Sequence, residues 1–373
     1  MTHSTKIIPE ILPELKPTLK PKSKPKSKPK SKPDIKEFTK EELTRWFQDK
    51  GIQPYRTTQI MRWIYLKRIE SFDEMTDISK NNRQLLSDNF SFSTPEKKQI
   101  ESSTDGSKKY LFGLKDKNCI ETVLIPEKNH YTLCISTQVG CAMGCRFCMT
   151  AKSGLIRNLT QAEIINQALG VLKDITGEKR LTNIVLMGMG EPLANYDNVI
   201  RAIHILTDND SGLQFSTRRV TLSTCGLITK FDELGRDTKI NLAISLNATD
   251  NPTRSMLMPI NKKYPIEQLI EACARYRLAP RNKITFEYIL IQDINDSIEN
   301  ANQLAKLLKP VKAKINLIPF NEHPASAFKR PKESDILRFQ EVLHQKGYTS
   351  IIRRSKGQDI SAACGQLSAK NKR

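Results

Sequence analysis

Four cysteines stand within the stretch CISTQVGCAMGCRFCMT, Cys134–Thr150, and their spacing is uneven. Cys141, Cys145 and Cys148 form a C-x3-C-x2-C cluster, while Cys134 lies seven residues ahead of it. Cysteine thiolates bind zinc or iron. A zinc site would call for a second C-x2-C or a histidine pair nearby. The five histidines are scattered and the other cysteines stand singly. A three-cysteine loop favours a [4Fe–4S] cluster with one iron left open, with zinc as the alternative. A second candidate is GMGEP, Gly188–Pro192. Its glycines allow close approach of the backbone to a ligand, and Glu191 can accept hydrogen bonds from an ammonium group.

These residues need strands to hold them. From about Tyr131, strand and helix patterns alternate, with six apolar strands: YTLCIS, NIVLMG, RRVTLST, INLAISL, KITFEYIL and AKINLIP. Intervening helices include TQAEIINQALGVLKDI, capped by Thr160 and Glu163, then PIEQLIEACARYRL, SIENANQLAKLLK and SDILRFQEVLHQKG. Repeated βα units predict a parallel α/β sheet, best accommodated as a partial, open (β/α)6 TIM-like barrel. A flat doubly wound sheet is the alternative. Nearly every strand ends in a polar or glycine-rich turn, which gathers the candidate chemistry on one rim.

Ahead of the barrel, residues 36–95 read as a helical accessory module opened by a Thr39–Glu42 capping box and closed in its first helix by Gly51. Residues 96–129 alternate apolar and polar around short turns, which predicts a small β extension. The barrel with its C-terminal cysteine segment spans 130–367, and 368–373 form a basic tail. Residues 1–35 form a Lys/Pro-rich tail whose regular prolines block helix and sheet, so it is expected to be disordered.

Net charge is +20 over 373 residues. The first 33 residues hold nine lysines against Glu10 and Glu14, which leaves the rest of the chain at about +13. A basic body of that size points to a polyanion such as RNA. Eight cysteines are too few for a secreted disulfide scaffold, and no apolar run is long enough to cross a membrane. A cytoplasmic protein is expected.

The C-x3-C-x2-C loop after the first barrel strand, with Phe147 before its last cysteine, resembles the radical S-adenosylmethionine (SAM) superfamily. STQVGC, GLIRNLT, GMGEPL, LMPIN and DISAACGQL, in this order, resemble the RlmN/Cfr family of RNA adenine methyltransferases. GMGEPL is similar to the RlmN branch, since Cfr-like proteins tend to have alanine for Pro192. The resemblance runs from about Thr39 to Leu367. It implies methylation of carbon 2 of an adenosine in the peptidyl-transferase region of 23S rRNA, and of the adenosine 3′ of some tRNA anticodons. A Cfr-like carbon-8 activity is the near alternative, and a zinc-containing RNA-binding protein the remote one.

The resemblance also implies roles for individual residues. Cys141, Cys145 and Cys148 hold the [4Fe–4S] cluster, and SAM completes it. Gly190, Glu191, Ser223, Ser245, Leu246, Asn247 and Asn321 contact SAM. Asn247 stands where the family has histidine. Cys364 is methylated by one SAM and carries the methyl to RNA. Glu121 removes the proton from the substituted carbon, and Cys134 resolves the adduct through a transient disulfide with Cys364. Cys119, Cys225 and Cys273 are expected to be structural. The resemblance further implies a monomer reduced by an external, flavodoxin-like electron donor.

Overall fold

The computed structural model describes residues 32–323 and 326–369. Most of the Lys/Pro tail, residues 1–31, lies outside the described residues, as do residues 370–373 at the other end. The compact body begins at Pro33, earlier than the expected tail boundary at residue 35. Asp34 bridges to Ser91, and Ile35 is fully buried, because an apolar side chain here finds a core to enter.

Three helices follow: α1 (Lys40–Asp49), α2 (Tyr55–Arg62) and α3 (Lys80–Asn89). Thr39 and Glu42 form the expected capping box, and Gly51 leaves α1 at a φ of 71°. α2 runs on into a π-helical turn over Trp63–Lys67. Phe38, Trp46 and Phe90 meet edge to face in this module. Ile35, Leu43, Phe47 and Ile60 belong to the same hydrophobic core as the barrel.

Strands β1 (Glu96–Ser102), β2 (Lys108–Gly113) and β3 (Cys119–Pro126) form the antiparallel extension. β3 pairs antiparallel with β4 (His130–Cys134), the first strand of the parallel set. β5 (Gln138–Gly140), the short helix α4 (Met149–Lys152) and β6 (Leu155–Asn158) then frame the cysteine loop, β5 and β6 making a separate two-stranded pair. The chain continues through α5 (Gln161–Leu172), β7 (Arg180–Leu186), α6 (Tyr196–Thr207), β8 (Val220–Thr224) and α7 (Phe231–Asp237). It goes on through β9 (Asn241–Ser245), α8 (Asn251–Leu257), α9 (Ile266–Arg275), β10 (Ile284–Leu290), α10 (Ile298–Leu307) and β11 (Ala313–Pro319). It ends with α11 (Glu333–Gln345) and β12 (Ser350–Ile352).

One ten-stranded sheet runs β1-β2-β3-β4-β7-β8-β9-β10-β11-β12. From β4 onward every neighbouring pair in it is parallel. The six expected strands are all present in the expected order. A seventh parallel strand, β12, extends the sheet beyond them, paired to β11. The order leaves both edges open, so the barrel is partial.

Candidate active site

The C-terminal ends of the parallel strands surround one cavity of about 170 Å³. Cys134, Cys141, Cys145, Cys148 and Cys364 all line it, together with Gly190, Glu191, Ser223, Ser245 and Asn247. Cys364 lies some 230 residues beyond Cys134 in the chain and shares this space with it, and both thiols are free.

The cysteine loop is fixed by backbone, which leaves its thiols available. Cys141 N–H donates to the Gly154 carbonyl at 2.9 Å, and Cys148 N–H donates to the Cys145 carbonyl at 3.1 Å. Gly140 holds a φ of 76°, and a Cβ there would come within 1.9 Å of the Gly154 oxygen, so no other residue fits this turn. Burial pushes the Cys141 thiol up to about 11 and raises Cys145 further, and the neighbouring thiols add to both shifts. Metal binding to such thiols must displace their protons. The donor set fits a cluster. Cys141, Cys145 and Cys148 face the same cavity, three thiols of the kind that hold three irons of such a cluster.

The loops after β4 and β7 are stitched together. Gly188 N–H donates to the Ile135 carbonyl at 3.0 Å, and Gln138 Oε1 accepts from Glu191 N–H at 2.8 Å. Gly190, at a φ of 106°, leaves no room for a Cβ beside Gln138. Glu191 is buried, and its carboxylate accepts from the N–H groups of Leu193 at 3.1 Å and Cys225 at 2.8 Å. Burial raises its pKa. Glu191 therefore ties the β7 loop to the β8 loop as well as facing the cavity.

Asn247 also has a local task. It adopts a φ of 60°, a left-handed conformation that asparagine tolerates, and its Oδ1 accepts from Ile289 N–H at 2.8 Å. Leu246 is fully buried and is not part of the lining; its carbonyl accepts from Arg254. Asn321 likewise stands behind the lining, where its Nδ2 donates to the Cys364 carbonyl at 3.2 Å. Glu121 is buried on β3 and does not line the cavity.

Three residues that the sequence did not single out stand at the site. Arg353, just after β12, lines the cavity, and its charge is reinforced chiefly by Cys364, then by Glu287 and Cys134. Glu287 faces the cavity from β10, with one carboxylate oxygen on Asn316 and the other without a partner. A lone carboxylate inside the apolar run ITFEYIL is a signal that could have identified it. Arg254, 1% exposed, donates to the carbonyls of Leu246, Cys225 and Ser245 and to Asn261. Arg254→Ala strands these acceptors in the interior and is expected to cost about 3 kcal/mol, read from the urea midpoint. Cys225, expected to be purely structural, lines the cavity.

A cluster-type cysteine loop at the end of the first parallel strand of an open βα barrel is the arrangement of a radical SAM enzyme, and the Radical SAM superfamily model matches residues 135–305. The model of the ribosomal RNA large subunit methyltransferase (RlmN) N-terminal domain matches residues 33–91. A dual-specificity RNA methyltransferase RlmN of Desulfosudis oleivorans is 58% identical over 334 residues, which is 90% of each chain. That of Geobacter sulfurreducens is 50% identical over 335 residues, covering 90% of this chain and 92% of its own. The crystal structure of a radical SAM methyltransferase from Sphaerobacter thermophilus, 40% identical, superposes with a TM-score of 0.84 over 91% of this chain and all of that one. The chain belongs to the RlmN family of radical SAM methyltransferases. Its cofactors are SAM and a [4Fe–4S] cluster.

Proposed function

We propose that this enzyme methylates carbon 2 of an adenosine in the peptidyl-transferase region of 23S rRNA, and of the adenosine 3′ of the anticodon in some tRNAs. The observation that carries this reading is the meeting of Cys134 and Cys364 with the three clustered cysteines in one cavity. A metal loop alone fits many reactions, whereas two further thiols beside it fit a methyl relay through sulfur. The dual-specificity name of the relatives and the Pro192 of GMGEPL support carbon 2 over carbon 8.

Cys141, Cys145 and Cys148 would hold the cluster, with SAM at the open iron. When bound, the pair supplies the radical chemistry that an electron-poor adenine carbon demands. The protein's own residues do the rest. Cys364 takes a methyl group on its sulfur and presents it to the adenine. A covalent link would then join the Cys364 sulfur, through one carbon, to carbon 2; the hydrogen atom that the methyl carbon gives up, and the electron released as the ring regains aromaticity, would be taken up by the radical chemistry that bound SAM and cluster supply. Glu121 accepts the proton of carbon 2. The Cys134 thiolate attacks the Cys364 sulfur, the sulfur–carbon bond breaks, and the released carbon takes up a proton as the methyl group. A Cys134–Cys364 disulfide remains for reduction before the next cycle. Gly190, Glu191, Ser223, Ser245, Leu246, Asn247 and Asn321 form the SAM pocket, directly or from the layer behind it. The target base must be unstacked to reach the rim, and the basic surface supports RNA docking. The enzyme works as a cytoplasmic monomer with an external, flavodoxin-like reductant. Among the described residues no helix is long and apolar enough to cross a membrane.

Mass mapping of rRNA and tRNA from a deletion strain complemented with this gene tests the reading. Restoration of 2-methyladenosine in both RNAs is expected. Restoration of 8-methyladenosine alone would overturn it. Anaerobic purification is expected to give a brown protein with about four iron and four sulfide per chain. Cys145→Ala is expected to remove the colour.

A further inference from the structure

The segment that carries Cys364 also holds Glu121. Ser368 N–H donates to Glu121 Oε2 at 2.7 Å, and Ala369 N–H donates to the same oxygen at 3.0 Å. The other oxygen lies 3.4 Å from Lys109 Nζ. Lys109 is itself fixed by Glu101 at 2.7 Å and by the Ile360 carbonyl at 2.5 Å. Glu121 is 5% exposed, and its carboxylate points to the end of this strap rather than into the cavity.

The strap, Ala362–Ala369, is fastened along its length. Met149 N–H donates to the Gly365 carbonyl at 2.7 Å, and the Thr150 hydroxyl donates to the Leu367 carbonyl at 2.7 Å. Both donors belong to α4, directly after the last cluster cysteine. The strap's last described residue, Ala369, sits at a φ of 48°. A left-handed alanine is disfavoured and persists only where contacts hold it. Here those contacts include the two amide bonds to Glu121, beside the packing of Ala369 against the core, so the carboxylate helps to hold the strap's end in this conformation.

We propose that the main chain of Ser368 and Ala369 is a latch that withholds Glu121 until RNA displaces the end of the strap. This rests on the reading of Glu121 as the proton acceptor. In the latched state its lone pairs are engaged outside the cavity and cannot reach a carbon-bound proton on a base. Release of two amide bonds and relaxation of Ala369 free the carboxylate. Because the same strap already presents Cys364 to the cavity, release of its end would free the base beside a methyl carrier that is in place. The residues reserved for the basic tail, 368 and 369, are thus part of the active-site machinery.

Hydrogen–deuterium exchange on the full-length holoenzyme reads the latch. The amides of Ser368 and Ala369 are expected to exchange slowly in the free enzyme and about tenfold faster in Glu121→Ala. Addition of an RNA stem-loop bearing the target adenosine is expected to accelerate them similarly in the wild-type protein. Exchange that RNA leaves unchanged or slows would overturn the latch, as would unchanged exchange in Glu121→Ala. Glu121→Gln tests the underlying reading separately, since the glutamine carbonyl can still accept from both amides. It is expected to trap the covalent protein–RNA adduct. Adduct resolved at the wild-type rate would remove Glu121 from the base role, whatever the exchange shows.

Discussion

Cys364→Ala is expected to lower methyl transfer to RNA by roughly a thousandfold or more, because on the proposed mechanism it removes the nucleophile that carries the methyl. The structure separates this effect from damage to the fold. The strap is anchored through backbone and neighbouring side chains, by Asn321 on the Cys364 carbonyl and Met149 on the Gly365 carbonyl, and not through the Cys364 sulfur. Cys364 is half-buried at the cavity edge, so its loss leaves no large void in the core. Iron content and thermal stability of the variant should match the wild type within about 1 kcal/mol. Single-turnover methylation of an RNA fragment, read beside the iron content, makes the check. Methylation at the wild-type rate would exclude a relay through sulfur.

Cys134→Ala is expected to fail at a different point. Adduct formation needs only Cys364, the cofactors and RNA, so the variant should still join itself to its substrate. Resolution needs a thiolate beside the Cys364 sulfur, and Cys134 is the candidate that shares its cavity from the end of β4. The variant should accumulate a nuclease-sensitive protein–RNA band on a denaturing gel, while free methylated RNA falls about a hundredfold or more. In the wild type this step should be pH-dependent. Burial pushes the Cys134 thiol up to about 12, with Arg353 pulling the other way. The reactive thiolate is the minority form at neutral pH, and its fraction rises about tenfold per pH unit below the pKa. Resolution should therefore accelerate from pH 7 to pH 9, whereas Cys134→Ala should show no such rise.

The barrel was legible in the sequence because each of its six long strands is an apolar run closed by a polar turn. β12 was not, because SII is only three residues and its pairing depends on β11 already being in place. The capping boxes at Thr39 and Thr160 were legible because their reciprocal bonds are local. The start of the body at Pro33 and Asp34 was hidden because their partners, Ser91 and Ser93, are almost sixty residues away.

The site divides in the same way. The cysteine loop announces itself by spacing, and the gathering of Cys134 and Cys364 is long-range geometry that only the family resemblance anticipated. The resemblance implies ligand contacts for Glu191, Asn247 and Asn321. Their side chains also bond to Cys225 and Leu193, to Ile289, and to the Cys364 carbonyl. Such structural duties depend on which loops meet, and no local pattern encodes that. Arg353 was missed for the same reason: RRSK has the composition of a surface run, and only the pairing of β12 with β11 brings its first residue to the cavity.

The central claim is that the methyl group reaches RNA through Cys364. Peptide mapping of the anaerobically reconstituted enzyme, sampled in time after addition of SAM with a labelled methyl group and then RNA, tests it most directly. The account predicts label on the Cys364 peptide before RNA is added, and its loss from that peptide as labelled adenosine forms. Labelled RNA formed while the Cys364 peptide stays unlabelled throughout would contradict it.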